Sequence, residues 1–340
     1  MLRKALLATA ASERVRELIT VTPAARTVAS RYVAGESIQQ AVDVARALRA
    51  AGLLVTLDYL GEPTGDAQRA AATAAQYAHL LSKLAAEGLT DGGAVEVSVK
   101  PSALGLLLPG GTTPRTPRGM SDGRARVSDM RAAEGADTPS VLGQRVAAGH
   151  LERIAVAARD AGTTVTVDAE DHRTTDATLR MATALRTRFG SVASVVQAAL
   201  RRTEADVREL AAPGTRIRLC KGGYAEPAGQ AFAAGHEVDK SFARCLRILM
   251  AGPGYPMIAT HDRRLIAITR SLALTRPADS FEYQMLYGVR PDEQRRLAAS
   301  GARVRVYVPY GGDWCRYLIR RLAERPANLA LFLRSLGSTA

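Results

Sequence analysis

Near the end of the chain the run YLIRRLAERP places Tyr317, Arg320, Arg321 and Glu324 at helical spacing, so that they share one face. Two adjacent guanidiniums beside an aromatic ring can grip a small carboxylate through parallel hydrogen bonds. The same stripe also fits a solvated basic face laced with ion pairs. A second set of polar residues follows short apolar runs: Asp58, Lys100, Asp168 with Glu170, Gln197, Arg218 with Lys221, Thr260 with His261, Gln284 with Tyr287, and Tyr307 with Tyr310. If those runs are the strands of one barrel, these side chains converge at its C-terminal mouth as a cationic, hydrogen-bonding bowl.

In KGGYAEP, Gly222 and Gly223 beside Lys221 let backbone N–H groups approach an anionic or planar ligand. No GxxxxGK[ST] and no GxGxxG after a strand occur, so neither a P-loop nor a Rossmann unit is supported. His261 in ATHD has no second ligand at metal-binding spacing, and no metal site is expected. Without GxSxG, serine-nucleophile hydrolysis has no anchor either.

The elements that must position these groups are legible as periodicity. The runs LLVTLDYLG, AVEVSVK, TTVTVDAED, SVVQAAL, RIRLCKGG, PMIATHD, EYQMLYG and VRVYVPYGG alternate with amphipathic Ala/Leu/Arg segments. Strand and helix alternating eight times predict an α/β fold of the closed parallel βα (TIM-type) barrel kind, with an open doubly wound sheet as the other arrangement compatible with alternation. Asp66, Thr174, Thr203 and Asp262 are expected to cap the helices that follow them. Residues 1–49 form an N-terminal helical segment and 50–340 the barrel. The interval from Lys100 to Asp168 is longer than any other between strand ends, and the Gly-, Pro- and Arg-rich stretch 109–143 is read as a flexible surface insert at the substrate-binding face.

Composition narrows the function classes. Lysine and arginine outnumber aspartate and glutamate by 46 to 33, which suits acidic substrates, an anionic membrane surface or nucleic acid. With five Phe, one Trp and no basic run interleaved with aromatics, stacking platforms for nucleic acid are missing, and no nucleic-acid partner is expected. Cys220, Cys245 and Cys315 are widely spaced without CxxC, which points away from zinc and disulfides and toward a reducing cytoplasm. No stretch approaches a membrane span, so any membrane contact is peripheral, at the inner face.

Seven phrases, SVK, VDAED, RIRLCKGGYAEP, IATHD, FEYQMLYGVRP, VRVYVPYG and YLIRRLAERPANL, fall in order at matching strands and together resemble the proline dehydrogenases. The likeness runs from about residue 30 to 336 outside the insert. It implies a distorted eight-stranded barrel holding FAD, oxidising L-proline to 1-pyrroline-5-carboxylate by hydride transfer and passing electrons to a membrane quinone. A helix across the mouth is implied too, with NLALFLRSL closing the helical ring. Carried over by position, the resemblance makes Arg320 and Arg321 the carboxylate clamp with Lys100 as a third cation, and Glu324 a partner holding the clamp. Leu286, Tyr307 and Tyr317 are implied to pack the substrate ring, Asp168 to orient the basic groups, and Arg218 to stand at the reactive edge of the flavin. Ala169, Gln197, Lys221, Gly222, Gly223, Thr260 and His261 match flavin-binding positions.

The chain departs from that pattern at Gly223, where the family has alanine, and at Ala199, where it often has an aromatic; both thin the flavin pocket. The long insert is also atypical. Two other functions fit parts of the pattern: a hydroxyproline dehydrogenase of the same family, because a carboxylate clamp does not read ring substituents, and a noncatalytic anion-binding barrel exploiting the +13 charge.

Overall fold

The structure, a computed structural model, describes residues 29–61, 63–110, 138–190, 192–315 and 317–318. The expectations for residues 1–28, for 111–137 of the insert, for Arg320, Arg321 and Glu324, and for the segment NLALFLRSL lie outside the described residues. In chain order the elements are α1 (Ile38–Ala50), β1 (Leu54–Tyr59), α2 (Ala67–Ala86), β2 (Val95–Val99), α3 (Val141–Asp160), β3 (Val165–Val167), α4 (Thr175–Phe189) and β4 (Ala193–Gln197). They continue as α5 (Thr203–Leu210), β5 (Arg216–Cys220), α6 (Gly235–Ala251), β6 (Tyr255–Ala259), α7 (Arg263–Ala273), β7 (Glu282–Leu286), α8 (Pro291–Ala299) and β8 (Val304–Tyr310). The strands neighbour one another in sequence order and close into a barrel, and each of the eight expected runs contains one of them.

By compactness the chain divides into two units, Met1–Gly61 with Tyr283–Ala340, and Glu62–Glu282. In the first, β8 pairs in parallel with β7 and with β1. Helix α1 opens on a capping box in which Ser37 and Gln40 satisfy each other's backbone N–H, and it buries Ile38, Ala41, Val42 and Ala45. Arg305, buried on β8, donates to the Val55 carbonyl at 2.9 Å, and the Trp314 indole N–H donates to Glu36 at 3.0 Å.

In the second unit β2 through β6 pair in parallel, as the registers Val97↔Val165, Thr166↔Ala193, Val195↔Arg218 and Arg218↔Met257 record. Strands β2 and β4 are buried along their whole length, on the face toward the helices and on the interior face alike. Helix α2 starts where the Asp66 carboxylate accepts from the N–H groups of Gln68 and Arg69, and it buries Leu80, Leu81 and Leu84, each contributing about 1.5–3 kcal/mol. Its Tyr77 hydroxyl donates to the Ser98 carbonyl at 2.8 Å, which locks helix to strand beside the polar interior.

Two of the four expected caps act as such. Asp66 does, and Asp262 accepts from the Arg264 N–H at 2.9 Å. Thr174 and Thr203 do not: Thr174 already has αR backbone (φ −95°, ψ −13°) in place of the extended conformation that aims a capping oxygen at the helix, and Thr203 is the first residue inside α5, preceded by Arg202; their hydroxyls donate to the carbonyls of Asp171 and Gln197.

The ends of the expected insert are fixed to each other. The Ser140 hydroxyl donates to the Leu108 carbonyl at 2.6 Å and accepts from the Gly143 N–H at 2.9 Å, capping α3, which begins at Val141 inside the range expected for the insert. Gly143 makes this approach possible, since a Cβ there would lie 2.3 Å from the Leu106 carbonyl oxygen. Backbone cannot retreat as a side-chain tip can. Gly143→Ala is therefore expected to destabilise the fold by about 1–3 kcal/mol, read as a lower urea midpoint at unchanged m-value; an unchanged midpoint would mean that the helix start can slide away from residue 106.

Candidate active site

On β2 and its C-terminal extension, Glu96, Ser98 and Lys100 are spaced by two and share a face; Thr164, Thr166 and Asp168 do so along β3, and Arg216 and Arg218 along β5. Between β3 and β5 the intervening strand offers Ala193 opposite Thr166 and Val195 opposite Arg218. These short side chains let Arg218 reach over β4. Its Nη1 donates to Asp168 Oδ1 at 2.7 Å and to Ser98 Oγ at 3.0 Å.

Asp168 is the centre of this cluster. Its Oδ1 also accepts from the Ser98 hydroxyl at 2.7 Å, and its Oδ2 lies 3.4 Å from the Lys100 ammonium. Ser98, Asp168 and Arg218 are all buried, while Lys100 keeps partial exposure. A buried carboxylate survives only when its charge and lone pairs are met, and here two cations and a hydroxyl meet them. Asp168 thus holds a guanidinium from the middle of β5 on one oxygen and an ammonium just past β2 on the other, a setting suited to a small anionic ligand.

Next to it, Glu170 is buried and accepts from the Ser102 N–H at 2.9 Å and from the Ser102 hydroxyl. Desolvation pushes its carboxyl above the usual range, against those hydrogen bonds and the charge of Lys100. The Gln197 amide donates to the Glu170 carbonyl oxygen at 2.6 Å. Gly222 follows with φ +101°, and a Cβ there would lie 3.1 Å from the Ala199 Cβ and 3.2 Å from Gln197 Oε1. A side chain at 222 is thus excluded, whereas a Cβ at Gly223 would meet nothing within 4 Å.

Lys221 Nζ is held between Asp239 Oδ1 at 2.5 Å and Asp262 Oδ2 at 2.9 Å. The buried Thr260 hydroxyl accepts from the Asp262 N–H at 3.1 Å, and His261 between them is half-buried. Burial pushes the Cys220 thiol up to about 11, far from a reactive thiolate.

The structure thus brings Lys100, Asp168 and Arg218 together, joins Gln197 to Gly222, and joins Lys221 to Thr260 through Asp262. Ala169 is half-buried directly after Asp168. In the other unit Leu286 and Tyr307 are register partners on β7 and β8, and Tyr317 is buried on the helical turn beyond β8. The sequence reading missed Ser98, Ser102, Glu96, Arg216 and Asp239, and it saw Asp262 only as a cap. For Glu96, Ser98 and Arg216 the signal was present as polar residues two apart within otherwise apolar strands, which mark an interior face that holds charge.

Comparison with known proteins adds the following. Residues 41–332 match the family described as proline dehydrogenase. The chain is 33% identical over 310 residues to proline dehydrogenase 1 of Bacillus subtilis, covering 91% of this chain and 90% of that one. It is 32% identical over 338 residues to the proline dehydrogenase of Deinococcus radiodurans, covering 98% and 97%. Among solved structures, proline utilization A from Bdellovibrio bacteriovorus, inactivated by N-propargylglycine, superposes with a TM-score of 0.72 at 24% identity. That match covers 88% of this chain and 33% of the other, so the chain spans about a third of that larger protein, and the likeness speaks to the fold.

A pH test follows from Asp262. Partial burial pushes its carboxyl up, but hydrogen bonds from Lys221 and Arg264 outweigh that and hold it well below the carboxylate range. A folded pKa below the unfolded one, near 3.9, gives stability that is complete above about pH 4 and lost as pH falls through the folded value. Asp262→Asn keeps the capping oxygen and removes the titration. Its urea stability is expected to fall less steeply than that of the parent between about pH 4 and pH 2; parallel acid limbs would show that the ion pairs with Lys221 and Arg264 are not what holds this carboxyl down.

Proposed function

Because this chain belongs to the proline dehydrogenase family and is an oxidoreductase acting on proline, we propose that FAD is its cofactor and that Lys100, Arg320 and Arg321 hold the proline carboxylate. The observation that carries this reading is the buried Asp168 with Arg218 at 2.7 Å and Lys100 at 3.4 Å, a fixed pair of cations where a small acid has to be oriented.

The residues present fit a flavin. Gly222 and Gly223 offer bare backbone, closed beneath by Ala199 and Gln197 and open beyond residue 223, as a planar ring system requires. Lys221, Thr260 and His261, with Gln197 and the Ala169 backbone, surround this surface in the proposed site. The absence of a methyl group at Gly223 and of an aromatic at 199 leaves the cradle shallower than the family pattern. FAD, when bound, supplies the acceptor for the two electrons and the hydrogen leaving the substrate carbon.

The protein's own contribution is orientation and charge. Paired guanidiniums at Arg320 and Arg321 fix a planar carboxylate in two dimensions, and Lys100 adds a third contact. Leu286, Tyr307 and Tyr317 pack the pyrrolidine ring and exclude water, so that the reacting carbon is held in one attitude. Asp168 keeps Lys100 and Arg218 apart and aimed, and Arg218 places positive charge where negative charge develops during oxidation. Glu324, three and four residues beyond the arginines in the sequence, is the partner that holds the clamp in this reading.

The electrons pass to a quinone in this reading, and the protein works in the cytoplasm at the inner face of the membrane. Among the described residues no helix is long and apolar enough to cross a membrane, and the lipid contact in this reading is a peripheral one.

Two measurements test the proposal. Anaerobic L-proline should bleach the oxidised flavin band of the purified protein; a colourless preparation, or a band that persists, would contradict it. Arg321→Lys keeps the charge and loses the fork, so KM for proline should rise about tenfold or more while flavin content stays at the parental level. An unchanged KM would remove Arg321 from the carboxylate site.

A further inference from the structure

We propose that Glu96 is a positioning residue, a buried anion that separates the guanidiniums of Arg216 and Arg218 and so sets where the charge of Arg218 acts. This rests on the reading above that Arg218 stands at the reactive edge of the flavin.

Arg216 and Arg218 are two residues apart on β5 and therefore point to the same side. Two like charges on adjacent levels of one strand repel unless an anion stands between them. Glu96, fully buried on β2, meets both. Its Oε2 accepts from Arg216 Nη2 at 2.7 Å and from the Thr164 hydroxyl at 2.7 Å. Its Oε1 accepts from the Thr166 hydroxyl at 3.0 Å and lies 3.9 Å from Arg218 Nη2.

The carboxylate cannot drift toward either arginine, because a hydroxyl from β3 or its N-terminal flank holds each oxygen. Arg216 is fixed as well: Nη1 donates to Thr164 Oγ1 at 2.7 Å, and the guanidinium lies 5.8 Å from the centre of the Tyr255 ring. The Tyr255 hydroxyl in turn donates to the buried Glu282 at 3.1 Å. Arg218 thus sits between two carboxylates, Asp168 above at 2.7 Å and Glu96 below. The Thr166 hydroxyl holds the second oxygen of Glu96 at a fixed 3.9 Å from Arg218, close enough for charge to act and too far for a hydrogen bond to hold the guanidinium. The layered order Arg216, Glu96, Arg218, Asp168 makes the floor of the barrel an electrostatic spacer for its mouth.

The sign of the effect is specific. Removing the anion at 96 strengthens the positive field at the flavin and favours the reduced, anionic form; removing the cation at 216 leaves Glu96 to neutralise Arg218 more fully and does the reverse. Glu96→Gln, which retains hydrogen bonding to Thr164 and Thr166, should raise the flavin midpoint potential. A tenfold shift in the oxidised-to-reduced equilibrium is about 30 mV for a two-electron couple. Arg216→Gln should lower the potential by a comparable amount, and the double variant should return near the parental value. KM for proline should change less than threefold while kcat changes about tenfold, because the clamp is not touched.

The experiment is spectroelectrochemistry on the purified holoenzyme, with proline kinetics in parallel. Opposite shifts in the two single variants and recovery in the double support the inference. No shift in either variant, or shifts of the same sign, overturns it; if one single variant does not fold, an unshifted potential in the other overturns it. Arg218→Gln, which removes the charge, is the control for the underlying reading. A potential that Arg218→Gln does not lower, or a protein without flavin, removes that reading and the inference with it, whereas a shift there and none at 96 or 216 removes the inference alone.

Discussion

Everything at the proposed catalytic end depends on keeping one carboxylate, Asp168, ionised inside a barrel. Its Oδ1 receives Ser98 and Arg218 at 2.7 Å each, and its Oδ2 faces Lys100 at 3.4 Å. A buried charge in this position constrains its surroundings more than any apolar contact does, since losing a partner strands a charge, whereas losing a methylene costs only a cavity. That constraint explains why β2, β3 and β5 each devote their interior face to polar groups, and why the strand between them carries Ala193 and Val195, small enough to be spanned. The helices outside then do ordinary work, and the Tyr77 hydroxyl on the Ser98 carbonyl shows how directly that work reaches the interior.

Most of the barrel was readable from the chain because β-branched runs and amphipathic helices alternate with little interruption. The eight runs are the eight strands. Asp66 and Asp262 enter their helices with extended backbone that aims the carboxylate at the first turn, whereas Thr174 and Thr203 misled because the backbone is already helical at Thr174 and at Arg202 before Thr203. Which of those outcomes holds is decided by how the preceding loop folds back, and local sequence does not carry that information.

The site was legible unevenly. Lys100, Asp168 and Arg218 were all among the polar residues expected to converge at the mouth, Lys100 and Asp168 just past their strands and Arg218 within β5. Glu96 was not, since in VEVSV a glutamate between valines reads as the solvent side of an alternating strand. In a barrel whose strands are covered on the outside by helices, both faces are interior, so polar alternation marks the lumen and not the solvent. The same inversion hides Arg216 and Ser98. Asp239 escaped for another reason: its pairing with Lys221 joins α6 to the loop after β5, a long-range contact with no trace in either segment alone.

The tie between Ser140 and Leu108 has a bearing on how such a chain can vary over time. The backbone at residue 108 and the start of α3 are held together by hydrogen bonds and by the close seat of Gly143 on Leu106, independently of what joins them. The entropic cost of closing a loop grows only slowly with its length. Descendants of this gene can therefore gain, lose or exchange the stretch between those two anchors while the strands on either side keep their register, which makes this junction a natural graft point for new sequence.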